Sequence, residues 1–334
     1  PLKWSIVMSG SVSSMEQGGK RPSVFSSVTH LTGNDRKTVT WQHISATVPV
    51  KKKGAERKQV LDEVFGVAKC GEVLAIMGAS GAGKTTLMNI LAKQKSSVVQ
   101  ATGTVKINGV TVSEREMQMQ SAYVQQVDMF CGSITVREQL VFSAKLRLPD
   151  NLTYEEREQR VDSVVRQMNL IDCQDTKIGI PGRMKGISIG EKKRLAFASE
   201  VLTDPSILFC DEPTSGLDSF MASQVVTALK EMANTGKTII TVIHQPSSEV
   251  FNMFDTVCFM ACGKPAFHGP IKEVCPFFAS LGRPELIVPE SYNPADHAIA
   301  QISLNPETKD VDMERITQMM ITADPPKVRK DLCR

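Results

Sequence analysis

The feature that most constrains this chain is a glycine-rich stretch between an apolar run and a helical pattern. It reads Gly78, Ala79, Ser80, Gly81, Ala82, Gly83, Lys84 and Thr85, followed by Thr86. This matches the phosphate-binding pattern of glycine, four residues, glycine, lysine and serine or threonine. The glycines let the backbone curl until its N–H groups point at phosphate oxygens. Lys84 supplies a cation for the outer phosphates, and Thr85 supplies a hydroxyl ligand for Mg²⁺.

The flanks of this stretch predict the architecture around it. Residues 72–77 indicate a buried strand that runs into the loop. Residues 86–91 indicate a helix that leaves it, whose positive N-terminal end adds to the anion site. The predicted fold class is α/β, with a phosphate-binding-loop NTPase core built on a mostly parallel sheet, an antiparallel β subdomain and an inserted helical subdomain.

Short apolar runs supply the remaining strands. Residues 206–210 and 238–243 are continuous runs, as in strands that helices cover on both faces. Residues 120–125 predict another strand, and residues 256–260 and 263–269 predict two more at an edge. Strand patterns at 39–50 and 60–68, with a hairpin at Asn108 and Gly109, indicate the antiparallel sheet.

Helical signals begin after the strand at residues 120–125. Thr135 and Glu138 have capping-box spacing and open a helix through Leu146, and residues 154–170 predict a second helix. We expect a helical lobe over residues 133–186, and a helix from Ser188 through Leu202. A further helix is expected over residues 312–321.

Composition narrows the class of protein. Hydrophobic residues make up 41% of the 334 residues, which suffices for a core, and the net charge of +3 gives no electrostatic case for nucleic acid. The 8 cysteines include no Cys-x-x-Cys pair, which favours free thiols in a reducing compartment. The sequence contains no run of 18 or more apolar residues, the length that a helix needs to span a bilayer. The lysines at 51–53 indicate a solvated hairpin tip or, as the alternative, a phosphate or lipid contact.

Two acidic residues end the apolar strand at residues 206–210. At that strand edge we expect Asp211 to hold Mg²⁺ and Glu212 to orient or deprotonate the attacking water; the alternative is a solvated acidic strand end. His244 ends the next strand, where a histidine polarises the terminal phosphate or holds Glu212, or only fills space.

Two more candidate positions lie in the helical region and at its start. Gln126 follows the strand at 120–125, where an amide coordinates Mg²⁺ or positions water; Gln125 is the rival position. Ser188 and Glu191 have capping-box spacing, so Ser188 either only caps its helix or, with Gly190, offers a phosphate site at the helix N-terminus. Gly186 and the basic residues 192–194 suit the second role.

Taken together, these residues resemble the nucleotide-binding domain of an ABC transporter over residues 39–298. Within that family the chain resembles the G-subfamily half-transporters, and among those the White-type pigment-precursor transporters. The motifs that carry the resemblance are residues 123–126, 135–138, 181–186, 193–200, 211–220, 244–249 and 292–296. Residues 1–36 are rich in serine, glycine and threonine without a sustained period, which predicts a disordered lead-in. The resemblance implies a nucleotide-binding domain over 37–298 with its helical subdomain at about 133–200, and a linker over 299–334 toward a transmembrane domain.

The resemblance also implies a mechanism. Two such domains close head to tail on two ATP molecules with Mg²⁺, each phosphate loop facing the Ser188-type helix of its partner. The partner is expected to be a different half-transporter, and the cargo a small molecule. Residues 215–218 correspond to the D-loop, and Gln126 with the helical lobe couples the domain to the membrane part. Because the chain begins at Pro1 and ends before six apolar segments, we expect the transmembrane domain to follow outside this sequence, with the nucleotide-binding domain on the cytoplasmic face.

Four positions depart from the family pattern. Ile189 replaces the first of two glycines in the signature loop, and Val127 replaces the usual aspartate after Gln126. Residues 46–48 lack an adenine-stacking aromatic, for which the nearby Trp41 is a poor substitute by spacing. His297 and Ala298 replace an aromatic pair, at the expected approach to the membrane domain.

Ile189 motivates a second hypothesis, a nucleotide-binding regulatory module with impaired hydrolysis. A third, a soluble ABC ATPase that acts on ribosomes or DNA, normally needs two cassettes or a long coiled coil, and neither pattern is present.

Overall fold

Two β-sheets organise the chain, one mostly parallel and one antiparallel. The computed structural model describes residues 36–50, 57–126, 129–180, 182–290, 292–304 and 309–323. The strands are β1 (Val39–Val48), β2 (Lys58–Ala68), β3 (Val73–Gly78), β4 (Gln100–Ile107), β5 (Val110–Thr111), β6 (Ser121–Val124), β7 (Ile207–Asp211), β8 (Thr238–Val242), β9 (Thr256–Ala261) and β10 (Lys264–Pro270). The six-stranded sheet has the order β10-β9-β3-β8-β7-β6, and the four-stranded sheet has the order β2-β1-β4-β5.

In the six-stranded sheet, β9, β3, β8, β7 and β6 run parallel, and only β10 is antiparallel to its neighbour. Every residue of β3 and of β8 is buried. Side chains alternate between two cores: Leu74 and Ile76 pack with Trp41 and the helix after β3, while Val73, Ala75 and Met77 pack with the helical lobe. The mostly parallel sheet predicted from the apolar runs is confirmed.

The antiparallel sheet turns at the predicted hairpin. Asn108 and Gly109 have φ of 48° and 80°, the positive pair that a tight turn between antiparallel strands requires. Strands β4 and β5 pair on either side, with Ile107 opposite Val110. The Asn-Gly prediction is therefore confirmed, because both residue types accept positive φ at low cost.

The helices are α1 (Lys84–Leu91), α2 (Glu114–Gln120), α3 (Val136–Arg147), α4 (Tyr154–Gln167), α5 (Ile189–Val201), α6 (Ser219–Asn234), α7 (Ser248–Asn252), α8 (Val274–Ser280), α9 (Pro294–Ile302) and α10 (Lys309–Ala323). Complete capping boxes start α2, α3, α4 and α5, at Ser113, Thr135, Thr153 and Ser188. No helix in the described part of the chain has the length and apolarity that crossing a bilayer requires.

Charged side chains fasten the lobe formed by α3, α4 and α5. Arg147 of α3 makes two bonds to Glu200 of α5, at 2.8 and 2.7 Å. Arg160 of α4 is buried and donates to the carbonyls of Val201 and Leu202 at the end of α5, at 2.6 and 2.9 Å. Because these bonds satisfy the last carbonyls of α5, the helix ends inside the protein without orphaned acceptors.

The secondary-structure predictions fail at particular places. The lobe was predicted to be helical to residue 186, but residues 174–188, apart from residue 181, which is not described, form a loop with an isolated bridge between Ile180 and Met184. Gln120, predicted to begin a strand, ends α2. The pattern left α6 unassigned, although Asp218 caps it and Val225, Val226 and Leu229 lie on its buried face.

The boundary expected at residue 298 falls within α9. In α10, Ile316 and Met319 are buried in the same core as the side chains of the helical lobe. The basic run at 51–54, Val127, the first 35 residues and the last 11 lie outside the described residues.

Candidate functional site

The glycine-rich loop of residues 78–85, called here the phosphate loop, connects β3 to α1. Gly78 and Gly83 have φ of 144° and 97°. A Cβ on Gly78 would lie 2.1 Å from the Met260 carbonyl oxygen, and one on Gly83 would lie 2.6 Å from Leu61 Cδ2. Only glycine avoids both the backbone strain and the collision at these positions. No side chain caps the start of α1, so no side-chain acceptor competes with an anion there.

Lys84 closes the phosphate loop on itself. Its side chain is buried, and Nζ donates to the carbonyls of Gly78 and Ala79, each at 2.9 Å. Burial lowers the pKa of Lys84, while the nearby Glu212 and Asp211 carboxylates act to raise it. An ammonium held at this cost is stabilised by any anion that enters the loop.

Asp211, the last residue of β7, faces the phosphate loop. Its Oδ1 accepts a long hydrogen bond of 3.4 Å from the Thr85 hydroxyl. Burial, followed by the charge of Glu212, raises the pKa of Asp211, and the contacts with Thr85 and Tyr123 oppose that rise. The two carboxylates therefore repel each other, which favours a cation between them and the phosphates.

Glu212 follows in an unusual backbone conformation. Its φ is 45°, and its N–H donates to the Val242 carbonyl at 3.1 Å. Gln126 Nε2 donates to Glu212 Oε2 at 2.7 Å. Of the two glutamines left open by the sequence, Gln126 reaches the acidic pair.

His244 lies just beyond β8 and is exposed. It lines a cavity of about 300 Å³ with Glu212, the loop of residues 214–217 and Ser247. The cavity brings the predicted histidine and glutamate together, although no hydrogen bond joins their side chains among the described contacts.

Ser188 caps α5 and is exposed. Its hydroxyl accepts from the Glu191 N–H at 3.2 Å and bonds to the Glu191 carboxylate at 2.8 Å. Gly190 packs so closely that a Cβ there would lie 1.8 Å from Met221 Cε. Ile189, between them, is 65% exposed. Capping thus explains Ser188 within one chain, and a role toward a partner's phosphate stays a prediction.

Two residues predicted to assist Ser188 have other tasks. Lys193 is 5% exposed, and its Nζ donates to the Gln126 carbonyl at 2.6 Å. A Cβ on Gly186 would lie 2.2 Å from the Ile178 carbonyl oxygen. Within one chain, Lys193 ties α5 to Gln126 and Gly186 permits close backbone packing, and their support for a phosphate site stays a prediction.

Three positions named among the departures from the family pattern, Trp41, His297 and Ala298, are also buried. Trp41 is fully enclosed and stacks edge-on against His268, so it is unavailable to a base. His297 is 8% exposed, donates from Nε2 to the Leu286 carbonyl at 3.2 Å, and packs edge-on against Phe278. Ala298 is fully buried. The expected approach of a membrane domain near these two residues stays a prediction.

The sequence analysis overlooked Tyr123 and Asn89 as site residues. The Tyr123 hydroxyl donates to Asn89 Oδ1 at 2.7 Å and lies 3.5 Å from Asp211 Oδ2. Burial and the charge of Asp211 raise the pKa of Tyr123 far above its ordinary value. A tyrosine within an otherwise apolar strand was the available signal.

The oxygen atoms at this edge fit Mg²⁺. The Thr85 hydroxyl and the Asp211 carboxylate lie side by side, and hard oxygen ligands with phosphate oxygens completing the shell are what Mg²⁺ prefers. Within the described residues, no group of three or more histidine, cysteine, aspartate or glutamate side chains is placed to hold a metal by itself.

Comparison with known proteins finds two family models along the chain. The model described as ABC transporter matches residues 61–215, and the model described as ABC-2 type transporter matches residues 244–332. Protein white of Drosophila melanogaster is 49% identical over 280 residues, which cover 83% of this chain and 40% of that protein. ABC transporter G family member 13 of Arabidopsis thaliana is 43% identical over 260 residues, which cover 78% of this chain and 37% of that protein.

The solved structures agree on the fold. A dimeric ATP-binding cassette in a post-hydrolysis state, bound to ADP and Pi, has a TM-score of 0.57 and 23% identity. The matched region covers 70% of the present chain and 98% of the chain in that structure. The chain itself spans about 40% of the length of the curated relatives it matches.

Proposed function

The chain belongs to the ABC transporter family and contains its ATP-binding domain, and we propose that this domain hydrolyses ATP to drive small-molecule transport by a G-subfamily half-transporter. The observation that carries the proposal is the convergence of three elements on one sheet edge. The phosphate loop, the acidic end of β7 and Gln126 meet there, with Thr85 3.4 Å from Asp211 and Gln126 2.7 Å from Glu212.

The phosphate loop receives the nucleotide. Backbone N–H groups of residues 78–83 and of Thr85 and Thr86 surround the phosphates, and Lys84 exchanges its carbonyl partners for phosphate oxygens. That exchange is favourable because a charged acceptor binds an ammonium more strongly than a neutral carbonyl does.

Thr85 and Asp211 would hold Mg²⁺, with the amide oxygen of Gln126 as a further ligand. When bound, Mg²⁺ neutralises charge on the phosphate oxygens. By holding that ion, Thr85 and Asp211 would place the terminal phosphate next to Glu212. The Glu212 carboxylate is the second negative charge at this edge of the sheet.

Glu212 acts as the general base. Its carboxylate borders the cavity that also contains His244, so a water there can give its proton to Glu212 as it attacks the terminal phosphate. Gln126 fixes one carboxylate oxygen and leaves the other for the water. His244 contacts the transferred phosphate and stabilises its charge.

The partner and the membrane complete the proposal. Ser188 and Gly190 face the nucleotide of a second half-transporter in a head-to-tail pair, which we propose to be a different chain. The cargo is a small molecule of the pigment-precursor kind, carried by transmembrane segments, with this domain on the cytoplasmic side. The match of residues 244–332 to the ABC-2 type transporter model supports attachment to such a membrane part.

A second candidate function is a regulatory module that binds nucleotide but hydrolyses it poorly. The exposed side chain of Ile189 favours it, because it projects beside Ser188 where a partner's phosphate needs bare backbone. The two functions differ in ATP turnover and share nucleotide binding.

Lys84→Ala tests the nucleotide site directly. We expect ATP affinity, measured by calorimetry on the 334-residue chain, to fall at least about tenfold because a charge-assisted phosphate contact is lost. Lys95→Ala removes an exposed lysine beyond the same helix and should leave affinity unchanged. An unaltered affinity in Lys84→Ala, with an unaltered melting temperature, would contradict the assignment of the phosphate loop.

A further inference from the structure

Tyr123 and Asn89 place two half-buried polar groups against an apolar layer. Tyr123 lies opposite Phe209 in the β6–β7 register and stacks on its ring with centroids 6.4 Å apart. Asn89 lies on α1 next to Met88, which is fully buried in the same layer. A phenylalanine at position 123 would satisfy that packing, so packing does not explain the hydroxyl.

The hydroxyl is anchored at one acceptor and directed at another. It donates to Asn89 Oδ1 at 2.7 Å, a short bond of normal strength. Its second neighbour is Asp211 Oδ2, at 3.5 Å. Burying a hydroxyl is costly without a partner, and here the anchor on α1 holds it at the carboxylate.

The two oxygens of Asp211 therefore have different neighbours. Oδ1 faces the Thr85 hydroxyl at 3.4 Å, and Oδ2 faces the Tyr123 hydroxyl at 3.5 Å. A carboxylate placed between two hydroxyl groups has a preferred rotation about its Cβ–Cγ bond. We infer that Tyr123 is a positioning residue, which turns Oδ1 of Asp211 toward the Mg²⁺ ligand Thr85. This inference rests on the proposed function.

The hydroxyl has a single proton, which sets the order of events. The shorter of its two contacts is the one to Asn89, at 2.7 Å against 3.5 Å to Asp211. When Asp211 is drawn toward Thr85, the carboxylate becomes the better acceptor, since charge-assisted bonds are about twice as strong as neutral ones. The amide of Asn89, turned so that its Nδ2 donates, then supports the phenol oxygen.

Tyr123→Phe removes the hydroxyl and keeps the ring on Phe209. The measurement is binding of the non-hydrolysable nucleotide AMP-PNP to the 334-residue chain, in a Mg²⁺ titration and in excess chelator. We expect the Mg²⁺ concentration that gives half of the maximal AMP-PNP binding to rise about three- to tenfold. Affinity in chelator, which depends on the phosphate loop alone, should stay within about twofold.

The controls separate positioning from packing. Tyr154→Phe removes an exposed phenol from α4 and should change neither affinity. Asn89→Ala keeps the tyrosine but removes its anchor, and should raise the Mg²⁺ requirement as well. Equal losses with and without Mg²⁺ in Tyr123→Phe would make the role one of packing and overturn the inference, as would no change at all. If AMP-PNP binding by the wild-type chain did not depend on Mg²⁺, that result would instead contradict the proposed function.

Discussion

At the scale of single residues, two of the nine non-glycine residues with positive φ in the described part of the chain border the cavity beside Glu212. Glu212 and Gln245 have φ of 45° and 43°, in the left-handed region that side chains larger than glycine seldom adopt. Each such residue costs on the order of 1 kcal/mol and persists only where its surroundings fix it. For Glu212, the bonds from its N–H to Val242 and from Gln126 to its carboxylate supply that restraint.

Glu212→Gln is the sharpest test at this scale. The amide has the shape of the carboxylate and can still accept from Gln126, so nucleotide affinity should stay within about twofold. Phosphate release by the assembled transporter should fall about a hundredfold or more, because an amide takes no proton from water. Glu249→Gln changes an exposed glutamate on α7 and should not affect turnover. Multiple-turnover hydrolysis by Glu212→Gln would remove Glu212 from the role of base.

At the scale of elements, α5 is fixed from three directions. Arg147 holds it to α3, Arg160 holds it to α4, and Lys193 holds it to the carbonyl of Gln126. The bond from Lys193 connects α5 to the candidate site, since Gln126 also contacts Glu212. The helix that Ser188 caps is therefore connected, through two hydrogen bonds, to Glu212.

The two sheets meet at another element-scale junction. His268 of β10 packs edge-on against Trp41 of β1, and a Cβ on Gly66 of β2 would lie 2.4 Å from the Trp41 ring. The ring nitrogen Nδ1 of His268 has no contact with solvent, and Nε2 bonds to the Val67 carbonyl. Burial lowers the pKa of His268 to about 4, from 6.5 for a free histidine.

This junction predicts an acid-sensitive stability. Between pH 6.5 and 4 the unfolded chain binds a proton at His268 that the folded chain excludes, so stability is full above pH 6.5 and falls as the pH drops. From pH 7 to pH 5 the loss should be about 2 kcal/mol in the free energy of unfolding. Denaturant titrations should show that His268→Phe flattens this dependence, whereas His43→Gln, at an exposed histidine, does not. Parallel pH profiles for wild type and His268→Phe would refute the assignment.

At the scale of the whole molecule, apolar and polar side chains are exposed at the starts of two helices near the cavity beside Glu212. Ser188, Ile189 and Phe220 are exposed at the starts of α5 and α6, and the cavity beside Glu212 is bordered by the neighbouring loop of residues 214–217. These features suit the proposed closure against a second cassette, where we expect the Ile189 side chain to meet the partner's nucleotide.

Ile189→Gly separates the two candidate functions at this scale. If the domain is a motor, removing the side chain should raise ATP turnover of the assembled pair several-fold, because backbone N–H groups then reach the partner's phosphate. If turnover stays at background while ATP still binds, the regulatory module is favoured. Ile171→Gly, at an exposed isoleucine elsewhere in the lobe, is the matched control.

Local sequence signals were sufficient for much of the fold. The phosphate loop, the fully buried strands β3 and β8, the Asn108–Gly109 turn and the capping boxes at Thr135 and Ser188 each depend on neighbouring residues alone. Backbone conformational preference, hydrophobic period and side-chain-to-backbone bonds act within a few residues, so the sequence by itself determined these elements and the end of β7 at Asp211.

Contacts between distant residues were decided only by the tertiary structure. Whether Gln125 or Gln126 reaches Glu212, 86 residues after Gln126, depends on how β6 and β7 lie side by side. The same is true of Lys193, whose charge predicts exposure but whose ammonium lies inside against Gln126. Tyr123 lies at Asp211 because two strands and a helix bring three half-buried polar side chains together beside an apolar layer. Burial and partner choice are properties of the packed chain, since each is set by atoms that the sequence places far apart.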